Sequence, residues 1–248
     1  MLFRRISEHV KTQNWTAVGL DFIIVVVGVF VGIQVANLND DLRDAENRAD
    51  LRMELVEDLK ADMLEIELHA SLSAYRFAAA EALVGRVMDW RLPDRFPSAF
   101  GASAPLMRPS QVWPDDAADA LFFSQRYTAF DVERRVYDTL MSTGDLDITG
   151  NRQLVMDLRA YYQNARSWRI AEDTTFRNTH DRLRAVFKEK GLTFYEPISW
   201  DEMDTIVAAD LELVGLLKST AYDASIQVAT MQDFEATVSD LLSRLETQ

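Results

Sequence analysis

The chain has 248 residues, 48% of them hydrophobic and none cysteine, which allows one or two folded domains and excludes disulfides, thiolate metal sites and cysteine nucleophiles. The net charge is −14; with +2 in residues 1–14 and −1 in residues 15–36, this leaves −15 for residues 37–248. A body this acidic repels the phosphate backbone, so nucleic acid is excluded as its partner.

The first 14 residues combine basic and apolar side chains. Arg4, Arg5 and Lys11 supply the positive charge and are expected to anchor the segment to lipid headgroups. Because Leu2, Phe3, Ile6 and Val10 fall on one helical face, the pattern predicts a short amphipathic helix in the cytoplasmic interface. A frayed basic tail is the alternative.

Residues 15–36 form the most apolar part of the chain. Their uninterrupted core, residues 22–33, has the length of a signal-peptide core, and its Val and Ile content also suits a buried strand. The whole segment makes about 33 Å of helix, which crosses a bilayer, and Trp15 fits an interfacial anchor. We therefore predict a transmembrane helix over 15–36, in preference to the signal peptide and the strand.

The charges on either side of this segment predict its orientation. Basic residues precede it, whereas the acid-rich run NDDLRDAENRAD follows it. The positive-inside rule then places residues 1–14 in the cytoplasm and residues 37–248 outside, which predicts a bacterial inner-membrane protein with a periplasmic domain.

One face of the predicted span carries both small residues and the only acid. Asp21, Val25, Gly28, Gly32 and Val35 follow one another at spacings of 4, 3, 4 and 3. A Gly-x3-Gly pair lets two membrane helices approach closely, so we predict a helix–helix interface on this face. The Asp21 carboxyl has three interpretations: a hydrogen bond across that interface, contact with cytoplasmic headgroups, or an ion-carrying group.

The span and its exit resemble the start of a family of uncharacterised bacterial single-span membrane proteins. The matching positions are Asp21, Gly28, Gly32, Gln34, Asn37 and Asn39, and Leu38 stands where that family usually has Trp. Residues 137–162 also resemble a segment of the family. The resemblance implies a single-span topology and no catalytic residues.

Beyond the span, apolar residues recur at helical spacing. The run 37–85 lacks Gly and Pro before Gly85, so we predict that the helix continues, straight or with one break near 37–48. A loop at 91–114 follows and holds five of the six prolines. It is predicted to pack on its own bundle or to bind a partner. Further helices are predicted at 115–125, 128–143, 151–190, 200–218 and 220–246, with a capping box at Ser199 and Glu202.

One cluster has the spacing of metal ligands. Asp58, Asp62, Glu65 and His69 lie 4, 3 and 4 residues apart on one helix edge. Carboxylates and an imidazole can hold a divalent ion, but no matching pair is evident on a second helix. A solvated helix edge is the favoured interpretation, so no metal, cofactor or catalytic residue is predicted.

The sequence thus predicts an all-α protein: one N-terminal transmembrane helix and an extracytoplasmic antiparallel helical bundle. The predicted function is a non-enzymatic membrane-anchored structural or assembly protein, either an oligomer or an accessory subunit of a larger membrane complex. Its expected partners are the lipid bilayer and, through the span, itself or another membrane protein. The alternatives are a ligand-sensing bundle and an ion-coupled stator-like subunit that uses Asp21.

Overall fold

The computed structural model describes residues 15–92, 114–143, 151–194 and 197–247. This part of the chain is all-α and contains no strand. Its seven α-helices are α1 Trp15–Val87, α2 Ala117–Ser124, α3 Arg135–Thr143, α4 Arg152–Ala171, α5 Arg177–Glu189, α6 Trp200–Ala208 and α7 Leu211–Glu246, with a π-helical turn at Glu172–Phe176. The predicted amphipathic segment 1–14 and most of the predicted loop at 91–114 lie outside the described residues.

The chain divides into two compact units, Met1–Leu51 and Arg52–Gln248. In the described part of the first unit the chain is helical, as the first 37 residues of α1. Among the described residues, α1 alone is long and apolar enough to cross a membrane. A stretch of 18 residues within it has a mean hydropathy of 2.1 and contains no buried residue. The sequence left open a continuous helix or one break near 37–48; residues 37–48 belong to the single helix α1.

In the second unit three long helical stretches pack around a common core. They are α1, the pair α4 and α5 joined by the π turn, and α7. Arg52 Nε donates to the Leu245 carbonyl oxygen at 2.9 Å near one end of the pair α1 and α7, which therefore run antiparallel. Helix α4 runs in the direction of α1, since Tyr161 lies beside Asp62 and Glu172 lies beside His69. One apolar cluster joins α1, α5, α6 and α7, and its fully buried members include Leu83, Leu183, Phe187, Met203, Val207, Leu213 and Leu217.

The prediction of a helix over 128–143 is wrong in its first half. Residues 126–134 are not helical, and α3 begins at Arg135. Here the backbone N–H groups of Glu133 and Val136 donate to the carboxylates of Asp62 and Asp58 on α1, at 2.9 and 3.2 Å. These long-range partners replace the intrahelical acceptors that a helix over this segment would supply.

The predicted boundaries in the last hundred residues are partly right. The Ser199–Glu202 capping box is present, and Gly191 ends α5 with a φ of 80°. The predicted break near 219 is wrong, because α7 already begins at Leu211. The Asp210 side chain caps α7 by accepting from Leu213 N at 3.0 Å, and Lys190 Nζ contacts the same carboxylate.

Candidate functional site

Residues 22–35 of α1 expose every side chain that they carry. The exposed fractions of Phe22, Val27 and Phe30 are 68%, 52% and 61%. Water does not favour a continuous apolar helix surface of this length, so the segment requires lipid or another protein around it.

The predicted helix–helix interface lies within this exposed segment. Val25 and Val35 are 62% and 64% exposed, and a Cβ atom added to Gly28 or Gly32 would meet no atom within 4 Å. The backbone therefore leaves open space beside both glycines on the face that the spacing predicts. The side chains of Asp21 and Trp15, and the anchors Arg4, Arg5 and Lys11, lie outside the described residues.

The four residues with metal-ligand spacing are not a solvated edge. Asp58, Asp62 and His69 are buried, with exposed fractions of 7%, 1% and 1%, and only Glu65 is partly exposed. That favoured interpretation is therefore wrong for three of the four. Within the described ranges, no group of three or more His, Asp or Glu side chains is arranged to hold a metal ion.

Both aspartates of this cluster accept backbone N–H groups at the start of α3, one just before it and one in its first turn. Asp62 accepts from Glu133 N at 2.9 Å and from the Tyr161 hydroxyl at 3.0 Å, while Asp58 accepts from Val136 N at 3.2 Å. Burial raises the pKa of the Asp62 carboxyl to about 7 despite the two hydrogen bonds, and it raises the pKa of Asp58 as well.

Glu172 is the centre of this polar core. It is fully buried, and its carboxylate accepts from Phe130 N at 2.7 Å and from Gln227 Nε2 at 2.8 Å. His69 Nε2 lies 3.0 Å from the same group. One carboxylate thus connects α1, α7 and the segment before α3, which fixes their mutual arrangement.

The π-helical turn explains how Glu172 reaches the core. Arg177 N bonds to the Glu172 carbonyl oxygen, five residues back, so one additional residue is accommodated between α4 and α5. The Tyr127 hydroxyl donates to that same carbonyl oxygen at 3.1 Å. Such turns occur frequently at functional sites, and this one holds the fully buried Glu172.

Arg76 is the buried cation beside this cluster. It is 4% exposed, and its Nε and Nη2 atoms have no hydrogen-bond partner. Burial lowers its pKa, opposed chiefly by the charge of Asp223. The pKa of Asp223 is in turn raised to about 6 by burial, against a hydrogen bond from Thr179 and the charge of Arg76.

Sequence reasoning missed Glu172, Arg76, Asp223 and Gln227. For Glu172 a signal exists: Trp168 and Phe176 are apolar positions eight residues apart, and residue 172 lies midway on the same face. An acid at a core position of a helix demands buried partners. The partners themselves lie 42 to 103 residues away and follow no local pattern.

The polar core thus joins backbone and side-chain groups of α1, α7, the π turn and the segment before α3. Among the described residues it contains no group arranged to hold a metal ion. Compared with known proteins, the chain matches no family model, no curated protein and no solved structure.

Proposed function

We propose that the chain is a non-enzymatic, membrane-anchored structural or assembly protein, acting as an oligomer or as an accessory subunit of a membrane complex. The observation that carries this proposal is the uniform exposure of apolar side chains over residues 22–35. A helix with such a surface is stable in a bilayer, where its backbone is satisfied internally and its side chains are solvated by lipid.

The proposed location is the bacterial cytoplasmic membrane, with residues 1–14 in the cytoplasm and the second unit outside. The support is the charge pattern: Arg4, Arg5 and Lys11 precede the apolar segment, and the acidic body follows it. The resemblance to single-span bacterial membrane proteins is part of the same proposal.

Assembly is proposed to use the face that contains Gly28 and Gly32. The open space beside these glycines allows a second helix to approach its backbone closely. The structural role of the second unit is supported by its buried carboxyl groups. The oxygens of Asp62 and Glu172 accept hydrogen bonds from backbone and side-chain donors of the same unit.

Localisation and orientation are tested by fractionation and protease accessibility of the full chain in a bacterial host. We expect the chain to remain in the membrane pellet after carbonate extraction. We also expect added protease to cut residues beyond 37 in spheroplasts with intact membranes. Release by carbonate would refute the anchor, and protection of the acidic body from protease would refute the orientation.

The interface is tested by comparing Gly28→Leu with Gly19→Leu. The two glycines are nine residues apart, so they lie on opposite sides of α1, and both positions are open. We expect Gly28→Leu to abolish the cross-linked species that the wild-type chain forms in native membranes, and Gly19→Leu to retain it. Equal cross-linking of all three chains would refute the interface and leave the membrane anchor standing.

A further inference from the structure

A cavity of about 270 Å³ opens between the end of α2 and helix α5. Arg126, Arg184 and His180 line it together with aromatic side chains, and none of its described lining residues is acidic. This is unusual in a chain with 40 acidic and 26 basic residues. The cavity rim therefore carries two arginines, while the nearby Asp181 carboxylate contacts His180 Nδ1 at 3.2 Å from outside the lining.

Two other cavities of the second unit show the contrast. The groove between α4 and α7 is lined by Asp157, Asp233 and Asp240, and it contains no basic residue. The cavity beside α6 is lined by Asp201 and Glu202, again without a basic residue. The arginine-lined cavity thus differs from both of these acidic cavities in the charge of its lining.

Aromatic rings hold both arginines at the cavity. The Arg184 guanidinium carbon lies 4.4 Å from the ring centroid of Phe194, and that of Arg126 lies 5.5 Å from the centroid of Phe122. Neither arginine forms an ion pair with any residue in the described ranges. A guanidinium stacked on a ring keeps its in-plane N–H groups available for a planar, bidentate acceptor such as a carboxylate.

A buried cation lies behind the cavity wall, with the carboxyl groups of Asp223 and Glu172 as opposite charges near it. Tyr127 belongs to that wall, and the Arg76 guanidinium carbon lies 5.4 Å from its ring centroid. Arg76 is 4% exposed and has two nitrogen atoms without hydrogen-bond partners. Its charge also lowers the pKa of His180, behind the effect of burial, so its field reaches another wall residue.

We propose that this cavity binds a small carboxylate-bearing organic anion, held at the rim by Arg126 and Arg184. The cavity volume lies just below the range usual for drug-sized ligands, so the anion has the size of a short dicarboxylate. The Phe122 and Phe194 rings form the apolar part of the wall against which its carbon chain packs.

This inference goes beyond the proposed assembly role and does not rest on it. It assigns a site and a ligand chemistry to the second unit, and so gives a ligand-sensing bundle a specific place in the fold. The membrane anchor and the helix–helix interface of α1 are unaffected by its outcome.

The test is calorimetric titration of the detergent-solubilised full chain at low ionic strength with succinate as the probe. Succinamide, which has the same shape without charge, and inorganic phosphate are titrated in parallel. The variant is Arg126→Gln/Arg184→Gln, and Arg159→Gln on the exposed side of α4 is the control with a similar change of residue type. All three positions are exposed, so the variants are expected to fold.

We expect saturable binding of succinate to the wild-type chain and to Arg159→Gln, and no binding of succinamide. The double variant is expected to bind succinate at least about tenfold more weakly, because hydrogen bonds to charged groups are lost. Equal affinity of wild type and double variant would overturn the site. Absence of succinate binding to the wild type, or binding of phosphate alone, would overturn the carboxylate assignment.

Discussion

Residues 22–35 and residues 58–76 belong to the same helix, yet their side chains meet opposite surroundings. The first stretch consists almost entirely of apolar residues and exposes them all. The second stretch buries Asp58, Asp62, His69 and Arg76. Each stretch inverts the usual rule that apolar residues lie inside and charged residues outside.

Each of these two arrangements is stable only in a suitable environment, and the two environments differ. Exposed apolar residues in a continuous run require a solvent other than water. Buried polar groups require partners, and Asp62 finds them in residues far away along the chain. Substitutions that remove the compensation in one stretch and leave it intact in the other therefore test the comparison directly.

The largest effect is expected for Glu172→Ala. This change leaves Phe130 N and Gln227 Nε2 without their shared acceptor inside the core and removes the carboxylate that lies 3.0 Å from His69 Nε2, at a cost of about 3–5 kcal/mol in the free energy of unfolding. Urea unfolding of the full chain in detergent, followed by tryptophan fluorescence, measures it. The control Glu235→Ala, at an exposed position of α7, is expected to change stability by less than about 0.5 kcal/mol.

The next effect is expected for Val27→Arg in the apolar stretch. A charge near the centre of a span costs about 3 kcal/mol of insertion free energy, so a smaller fraction of the chain should remain in the membrane pellet. Leu64→Arg is the matched control, since Leu64 is 68% exposed in the second unit. It should leave the pelleted fraction unchanged; a similar loss for both variants would contradict the difference between the two stretches.

A smaller effect concerns pH. Because the pKa of Asp62 is raised from 3.8 to about 7, the native state holds this proton more tightly than the unfolded state between those values. The contribution of Asp62 to stability is therefore present at low pH and is lost as the pH rises, by about 2 kcal/mol from pH 5 to pH 7.

Asp62→Asn removes this titration and keeps an acceptor oxygen. We expect its free energy of unfolding to fall less between pH 5 and pH 7 than that of the wild-type chain. Asp223, whose pKa is about 6, contributes a fall of the same sign in both chains. Identical slopes for variant and wild type would mean that Asp62 is not protonated in the native state.

The smallest effect is expected for Lys60→Ala. Lys60 Nζ contacts Glu246 at 2.9 Å, but the two side chains are 58% and 51% exposed. Water screens such a pair, so the loss should be below about 0.5 kcal/mol in the same urea unfolding assay. A loss comparable to that of Glu172→Ala would show that burial is not what makes polar contacts important here.

Local signals account for the parts of the fold that the sequence predicts well. The apolar run, the capping box at Ser199 and the stop at Gly191 each depend on residues within a few positions of one another. The segment 126–134 is different, because Glu133 N finds its acceptor 71 residues away. A local pattern of caps and apolar spacing cannot reveal such a partner, so the segment resembles a helix in sequence.

Only the part of the candidate site that belongs to α1 was predictable from the sequence. The spacing of Asp58, Asp62 and His69 draws attention to one edge of α1, but the choice between solvent and core depends on what packs there. The residues that pack there are Tyr161 of α4 and Glu172 of the π turn. Sequence patterns show which residues share a face and leave open which face another helix covers.

The π turn has a consequence for insertions and deletions. The positions Trp168, Glu172, Phe176 and His180, of which the last three are buried, follow one another in three steps of four residues, where a regular helix has 3.6 residues per turn. The turn absorbs the surplus of about one residue. Deleting Thr174 would remove this surplus and leave a regular helix on which Trp168, Glu172, Phe176 and His180 still share one face, so α4 and α5 would keep their common orientation. The length of this turn is therefore less constrained than its buried residues Glu172 and Phe176, since its two threonines face away from the core.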